Sequence, residues 1–184
     1  MPRLPQLARH EAPAAARPLL DRVRARTCSM PNGVKVLSNS PAMLEGYLSL
    51  SNGLAKGHFS AREGTAIALA IAGRNACEYC ATLHAATAKR LEIEPHEITG
   101  NLNGRSADRR IGAALRLACA ILETRGRVRD DLLDDVRRAG LSDAEMVEIV
   151  GHVALSVLTN YANHLAGTEI DFPSLEALMC EESL

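Results

Sequence analysis

Two cysteines and a histidine form the part of this sequence best suited to chemistry. Cys77 and Cys80 are three residues apart and His84 follows four later, in a C-x-x-C-x-x-x-H pattern. On an α-helix, residues three or four apart share a face, so Cys80 can contact His84, and Cys77 lies close enough to Cys80 for a disulfide. A thiol beside an imidazole, with a second thiol in reach, predicts reversible thiol redox chemistry.

The segment around these residues is rich in good helix formers. Asn75 is a favoured N-cap residue, which would place Cys77 in the first turn and let Glu78 reach back as in a capping box. We expect this helix to extend to about Leu91. The nucleophile stays open at this level, because Cys77 is nearer the positive helix end and Cys80 is nearer His84.

Two other interpretations of the pattern need no redox chemistry. Both cysteines could be plain core residues, since cysteine is often buried. They could also bind zinc with His84, but zinc needs a fourth ligand, and no candidate has a partner at the usual spacing. The candidates are Cys28, Cys119, Cys180, His58, His96, His152 and His164. We therefore expect no metal and no cofactor, and we expect Cys119 in the core.

A second polar pattern runs along the last long predicted helix. His152, Ser156, Asn160 and His164 recur every four residues beside an apolar stripe. The favoured interpretation is an exposed or subunit-facing edge. The alternative is that His152 or Asn160 lines a cavity over the thiols.

The composition excludes several classes of protein. A net charge of −1 and 3% aromatic residues without tryptophan argue against nucleic-acid binding. The longest apolar run, 66–72, is too short to span a membrane, and the N-terminus lacks the apolar core of a signal peptide. Five cysteines, an odd number, are unlike a disulfide scaffold, so a reducing cytoplasm is expected.

The hydrophobic periodicity predicts an all-α fold, a helical bundle forming one domain over 1–184. Capping signals at Ser60-Glu63 and Ser142-Glu145 mark two helix starts. Residues 1–12 are expected to be a loose arm, 27–40 a connecting loop with a Pro-Asn-Gly turn, 100–104 a break, and 168–184 a weakly helical tail. The other helices are expected at 14–26, from Pro41 to Gly53 or Gly57, at 65–74, from Pro95, and at 106–125, 129–139 and 143–165.

Three stretches resemble the alkyl hydroperoxidase D-like family of the carboxymuconolactone decarboxylase-like superfamily. They are FSAREGTAIALAIAGRNACEYCATLHAA from Phe59, NYANHLAGTEIDFP from Asn160 and PNGVKVLSNSP from Pro31. The last two resemble its peroxidase-related branch. The resemblance implies a helical homotrimer or hexamer with a thiol-dependent antioxidant role, reducing a hydroperoxide at the expense of an external dithiol. It also implies that Cys80 attacks the peroxide, Cys77 resolves the product and His84 belongs to a proton relay.

One position departs from the family pattern. Family members usually carry a glutamate twelve residues before the first cysteine, and that position is Thr65 here. A hydroxyl passes a hydrogen bond but is no base at neutral pH, and Glu63 lies about 200° around the helix from Thr65. Another carboxylate could replace it, His84 could act alone, or the peroxidase could be weak. A non-redox decarboxylase or isomerase and a non-catalytic redox-sensing partner are the other functions considered.

Overall fold

The regular structure is helical throughout the described residues, with no strand among them, which confirms the all-α prediction. The computed structural model describes residues 2–27 and 29–179. Cys28, Cys180 and the end of the predicted tail lie outside these residues. The helices are α1 (Arg17–Thr27), α2 (Asn32–Leu37), α3 (Pro41–Leu54), α4 (Ala61–Arg74), α5 (Glu78–Arg90), α6 (Pro95–Leu102), α7 (Arg109–Thr124), α8 (Asp130–Arg138), α9 (Asp143–Ala166) and α10 (Leu175–Met179). A short 3-10 turn at Ala14–Ala16 precedes α1.

Helix α4 lies at the centre and packs against α5, α6, α7 and α9. The predicted capping box starts it, since the Ser60 side chain accepts from the Glu63 N–H and the Glu63 carboxylate accepts from the Ser60 N–H. Its residues are buried on nearly every side, as an all-round apolar helix predicts. Gly73 allows α6 to cross closely, because a Cβ there would lie 2.1 Å from the Leu102 carbonyl oxygen. Helix α6 ends at Leu102, within the break predicted at 100–104, and Gly104 follows with a left-handed φ of 72°.

The cysteine helix starts later than predicted. Asn75 is the C-terminal cap of α4, with its N–H bonded to the Ile71 carbonyl, and is not the N-cap of α5. Ala76 then adopts a left-handed φ of 51°, and Cys77 itself takes the N-cap position. Glu78 is consequently the first helical residue, too early to form the expected box. The prediction that Asn75 caps a helix is correct, but Asn75 caps the end of α4 and not the start of α5.

The loop predicted at 27–40 contains helix α2. Pro31 occupies its N-cap and offers no side-chain bond to the first turn. Contacts with distant residues satisfy that turn instead. Asn32 donates its N–H to the Asp171 carboxylate over 2.8 Å, and Gly33 donates its N–H to the Tyr79 hydroxyl over 2.8 Å. Tertiary hydrogen bonds therefore convert a local turn signal into a helix.

Both ends of the described chain are held against the helices. Arg3 and Leu4 donate their N–H groups to the Ala166 carbonyl, and Ala12 is buried, so the N-terminal arm is not loose. At the other end, α10 packs on α5 and α6. The predicted positions of the remaining helices are confirmed within a few residues. None of the described helices has the length and apolar character to cross a membrane.

Candidate active site

Cys77 and Cys80 lie together at the start of α5. Each is only 1% exposed, and both are free thiols. Their side chains hydrogen-bond to each other. Buried apolar residues surround the pair, among them Ala72, Tyr79 and Ala81. The structure therefore brings together the two sulfurs that the sequence selected, in a dry environment.

A cavity of about 650 Å³ opens beside this pair. Cys80 borders it and Cys77 does not, so a bound molecule would meet the Cys80 sulfur. Its walls are mostly apolar, with Phe59, Leu83 and Phe172 among the large side chains. Thr65 and His84 also border it. Among the described residues that line it, none is Asp or Glu.

Two asparagines on α9 back the sulfurs. Asn163 donates from Nδ2 to the Cys80 sulfur over 3.3 Å, and its Oδ1 accepts from the Thr168 hydroxyl over 2.8 Å. Asn160 accepts at Oδ1 from Asn75 over 2.9 Å, and its carbonyl lies 4.0 Å from the Cys77 sulfur. Both asparagines are buried. Helix α9 thus presents two buried amide groups to the region of the thiols.

The two thiols have different proton affinities. The hydrogen bond from Cys80 lowers the pKa of Cys77, against the opposing effect of burial. The same contact and burial raise the pKa of Cys80, while the amides of Asn163 and Asn160 lower it. Cys77 is therefore the first of the two thiols to ionise. Because the two sulfurs are hydrogen-bonded, a negative charge on Cys77 can move to Cys80 when the proton between them is transferred.

His84 lies half-buried on the cavity wall. Burial lowers its pKa to about 4, so the imidazole is neutral at pH 7. No hydrogen bond joins it to Cys80 within the described part of the chain, although the two residues are one turn apart. The contact expected between Cys80 and His84 is therefore not a hydrogen bond, and a neutral ring has no charge with which to lower the pKa of either cysteine. It can still accept and pass on a proton.

Thr65 is buried on the same wall, where the family pattern would place a glutamate. Glu63 does not replace that glutamate. Its carboxylate accepts from the Ser60 N–H over 2.9 Å and pairs with Arg110 at 3.3 Å, away from the cavity. Because no acidic side chain lines the described cavity, His84 has no carboxylate partner there. Of the three possibilities raised for this position, substitution by another carboxylate finds no support.

The polar pattern on α9 divides between two environments. His164 is exposed, as an edge residue should be. His152 and Ser156 border the cavity, and Asn160 is fully buried behind the thiols. The His152 ring packs edge-on against Phe59, with ring centroids 5.5 Å apart. The favoured interpretation as a solvated edge is therefore wrong for three of the four residues.

The zinc interpretation gains no fourth ligand. Across residues 2–27 and 29–179, no group of three or more His, Cys, Asp or Glu side chains could hold a metal ion. Cys119 is buried in the core between α4, α7 and α9, as predicted.

Comparison with known proteins finds one similar family and several similar structures. Residues 41–124 match the Carboxymuconolactone decarboxylase family. No curated protein matches the chain. A crystal structure of an alkylhydroperoxidase AhpD core, an uncharacterized peroxidase-related protein from Ralstonia eutropha JMP134, is 20% identical with a TM-score of 0.82, covering 92% of this chain and 92% of that one. The chain therefore has the helical fold of the AhpD core structure, and its residues 41–124 are similar to the Carboxymuconolactone decarboxylase family.

Two further structures share this AhpD-like fold. An uncharacterized peroxidase-related protein from Silicibacter sp. TM1040 is 19% identical, with a TM-score of 0.77, over 91% of this chain and 89% of that one. The apo debrominase Bmp8 is 20% identical, with a TM-score of 0.76, over 94% of both chains. A cysteine-to-alanine variant of Bmp8 has also been crystallised in complex with 2,3,4-tribromopyrrole. The shared fold therefore includes proteins with different named activities.

Sequence reasoning assigned no chemical roles to the residues that support Cys80. Tyr79 is buried, its hydroxyl accepts from Gly33, and its ring packs against Phe172 at a centroid distance of 6.0 Å. Asn163 depends on Thr168 for its orientation. All of these lie in the three stretches that carried the family resemblance. That resemblance was the available signal, since their spacing alone indicates no chemistry.

Proposed function

We propose that this protein is a thiol-dependent peroxidase that reduces an organic hydroperoxide through a Cys77–Cys80 disulfide cycle. The observation that carries the proposal is the position of Cys80, which touches Cys77 on one side and borders a 650 Å³ cavity on the other. A nucleophile needs access to substrate, and a resolving thiol needs access only to the nucleophile. Cys80 is therefore the attacking thiol and Cys77 the resolving one.

The cycle begins with the shared proton. The Cys80 thiol donates to the Cys77 sulfur, which lowers the pKa of Cys77, so Cys77 is the first of the two to lose its proton. Transfer of the Cys80 proton to Cys77 leaves a thiolate on Cys80, beside the Asn163 amide. The thiolate attacks the terminal oxygen of the hydroperoxide and breaks the O–O bond, giving a sulfenic acid on Cys80 and an alkoxide. The alkoxide takes the proton from Cys77 and leaves as an alcohol.

The second step closes the disulfide. The Cys77 thiolate attacks the Cys80 sulfur and displaces hydroxide, which becomes water on taking up a proton. The hydroperoxide has then gained two electrons and the thiol pair has lost two. An external dithiol reduces the disulfide by two thiol–disulfide exchanges and is itself oxidised. The alcohol, the water and the oxidised dithiol balance the reaction.

His84 serves this cycle as a neutral proton carrier on the cavity wall. With a pKa of about 4, it accepts a proton transiently and releases it quickly. Thr65 extends the path as a hydroxyl that both donates and accepts. Because the cavity offers no carboxylate to hold the proton, we expect slower turnover than in relatives that have the relay glutamate. General acid–base assistance is typically worth about 10²–10⁴-fold.

The proposal is tested by steady-state turnover of cumene hydroperoxide with dithiothreitol as the reductant. We expect turnover to fall at least about 10³-fold in Cys80→Ser and in Cys77→Ser, since nucleophilic attack and resolution each need one sulfur. Cys119→Ser is the matched control, because Cys119 is also buried but lies in another part of the core. Turnover that survives loss of both Cys77 and Cys80 would contradict the proposal and favour a non-redox decarboxylase or isomerase. A wild-type protein without turnover would favour a redox-sensing partner.

Reductive dehalogenation is a second candidate, favoured by the size and apolar walls of the cavity. Bmp8, which shares the fold, is named a debrominase. Here the Cys80 thiolate would attack the halogen of an aromatic ring, and the ring carbanion would take the proton from Cys77. Cys77 would then attack the sulfenyl halide and release halide as the disulfide forms. Bromide release from a bromopyrrole with dithiothreitol would identify this activity, and peroxide turnover without bromide release would exclude it.

We also propose that the protein works as a homo-oligomer in the cytoplasm. Helix α9 carries an outward apolar surface that supports self-association. Val147 is 72% exposed, Leu165 65% and Tyr161 57%. Such contiguous apolar surface is uncommon on a monomer. Light scattering on the purified protein tests this, with a trimer or hexamer expected and a monomer contradicting it.

A further inference from the structure

The two asparagine side chains behind the thiols present only their nitrogen ends to the sulfurs. The Asn160 oxygen accepts from Asn75 over 2.9 Å, and the Asn163 oxygen accepts from Thr168 over 2.8 Å. A carboxamide whose oxygen is engaged on one side must direct its N–H groups to the other. Both nitrogens therefore face the region of Cys77 and Cys80, and Asn163 Nδ2 lies 3.3 Å from the Cys80 sulfur.

One of these nitrogens has no partner in the resting site. Asn160 is 0% exposed, and its Nδ2 completes no hydrogen bond of normal geometry among the described residues, although the amide lies close enough to Cys80 to lower the pKa of that thiol. Leaving a buried N–H unpaired is costly, and such groups are rare in folded proteins. A neutral thiol is a weak acceptor, whereas a thiolate is a strong one. An unpaired donor beside a thiol that must ionise is suited to the ionised form.

We infer that the Asn160 and Asn163 carboxamides form an anion site that stabilises negative charge on the Cys80 sulfur. They act through Cys80 and are positioning residues. Both amides lower the pKa of Cys80, against the rise caused by Cys77 and by burial. Although Cys77 ionises first, the amides favour a negative charge on Cys80, which borders the cavity. The inference deepens the proposed function, since it rests on Cys80 as the nucleophile.

Preorganisation makes this site effective. Asn75 and Thr168 hold the amides in place before any charge forms, so little reorganisation accompanies ionisation. The two asparagines are three residues apart on one helix, one turn of α9, and direct their N–H groups to the same place. The same donors would also hold the oxygen of a sulfenate formed on Cys80. The stretch Asn160 to Thr168 therefore supplies both donors and one of the groups that orient them.

The test measures the ionisation of Cys80 without any peroxide. The reduced wild-type protein is alkylated with iodoacetamide between pH 5 and 10, and mass spectrometry follows the Cys80 peptide separately from the other cysteines. We expect Asn163→Leu and Asn160→Leu each to lower the Cys80 alkylation rate at pH 7 about tenfold and to shift its pH profile upward by about one unit. Leucine keeps nearly the same volume but offers no N–H group.

Two further variants separate charge stabilisation from loss of folding. Val153→Ala removes buried volume from α9 away from the sulfurs and should leave the Cys80 pH profile unchanged. Thr168→Val removes only the hydroxyl that orients Asn163, so it should lower the rate at pH 7 about threefold, and it applies where a leucine variant does not fold. Unchanged profiles in the folded Asn163 and Thr168 variants would overturn the inference. Peroxide turnover plays no part in this measurement, so the proposed function can fail while the anion site stands.

Discussion

Cys77 and Cys80 occupy one turn of the same helix, yet their surroundings differ. Cys77 caps the start of α5 and packs inside a cluster with Ala72 and Ala81, without contact with the cavity. Cys80 borders the cavity and accepts a hydrogen bond from Asn163. The enclosed Cys77 is the first to ionise, and Cys80 is the one that a molecule in the cavity can reach. A motif therefore fixes which two sulfurs meet, while the packing around them decides what each can do.

The difference arises from separate parts of the chain. The residues on the Cys77 side come from the end of α4 and the start of α5, which are neighbours in sequence. The Cys80 side is built from distant segments, with Thr65 from α4, Gly33 from α2 and Asn163 from α9. Changes to these distant segments should therefore alter the reactivity of Cys80 and leave Cys77 nearly unaffected.

Among changes that leave both sulfurs in place, the largest effect should come from His84→Gln. Glutamine cannot accept and return a proton, so we expect peroxide turnover to fall about 10²-fold or more. The contact between the two sulfurs does not involve His84, so the disulfide should still form with an added thiol oxidant. Stopped-flow kinetics of thiol oxidation by the hydroperoxide measure the first reaction. Disulfide formation with the added thiol oxidant measures the second. Equal loss in the two reactions would mean that His84 supports the fold of the pair and not the Cys80 chemistry.

The same histidine should make stability depend on pH. Its pKa is about 4 in the folded protein and 6.5 in the unfolded chain, so the unfolded chain binds more protons between these values. Stability is therefore full above pH 6.5 and falls as the pH drops toward 4, by about 2 kcal/mol for a ring that keeps some solvent contact. Urea unfolding at pH 7, 5.5 and 4 measures this.

His84→Gln should flatten that pH dependence, and His152 should account for part of what remains, because burial lowers its pKa as well. A pH dependence identical in the wild type and the His84 variant would show that His84 ionises as readily in the folded protein as in the unfolded chain.

Thr65→Glu should raise peroxide turnover at Cys80, because it supplies the carboxylate that family members usually carry at this position. Thr65 is buried at the cavity, so the new side chain would point toward the space that His84 borders. We expect turnover to rise about tenfold, less than the about 10²–10⁴-fold that a fully engaged acid–base group typically gives. Thr65→Gln is the matched control, since it adds the same bulk without a base. A rise in both variants would attribute the gain to shape.

The smallest effect should come from Gly33→Ala. A Cβ there would lie 2.9 Å from Tyr79 Cε1 and 3.1 Å from Asn163 Oδ1, so Tyr79 and the amide that faces Cys80 must shift. The overpacking should cost about 2 kcal/mol. Alanine is about 1 kcal/mol more favourable than glycine within a helix, so the net destabilisation should be about 1 kcal/mol. Thermal unfolding measures it. Gly46→Ala in α3, where a Cβ would meet nothing within 4 Å, should be stabilising instead.

The sequence predicted those features that depend on neighbours along the chain. Both capping boxes, the apolar α4 and the pairing of Cys77 with Cys80 follow from local spacing, and all are present. The prediction failed where distant groups decide. Helix α2 forms because Asp171 and Tyr79 satisfy its first turn, and Asn160 is buried because α9 packs behind the thiols. The periodicity of a single helix does not show which of its faces a neighbouring helix will cover.

The protonation states were the other feature that local spacing could not supply. The spacing of Cys80 and His84 predicted a thiol beside an imidazole but not the charge of that imidazole, which burial keeps neutral. Burial depends on how Phe59, Leu83 and their neighbours close the cavity. The departure at Thr65 was visible in the sequence, but its consequence, a described cavity lining without any carboxylate, required the structure.

The most direct test of this account identifies which sulfur meets the peroxide. Reduced Cys77→Ser and Cys80→Ser proteins would each be treated with one equivalent of cumene hydroperoxide and dimedone, and mass spectrometry would locate the adduct. The account predicts a sulfenic acid adduct on Cys80 in the Cys77 variant and little on Cys77 in the Cys80 variant. An adduct found only on Cys77 would contradict it, because the enclosed sulfur would then be the nucleophile.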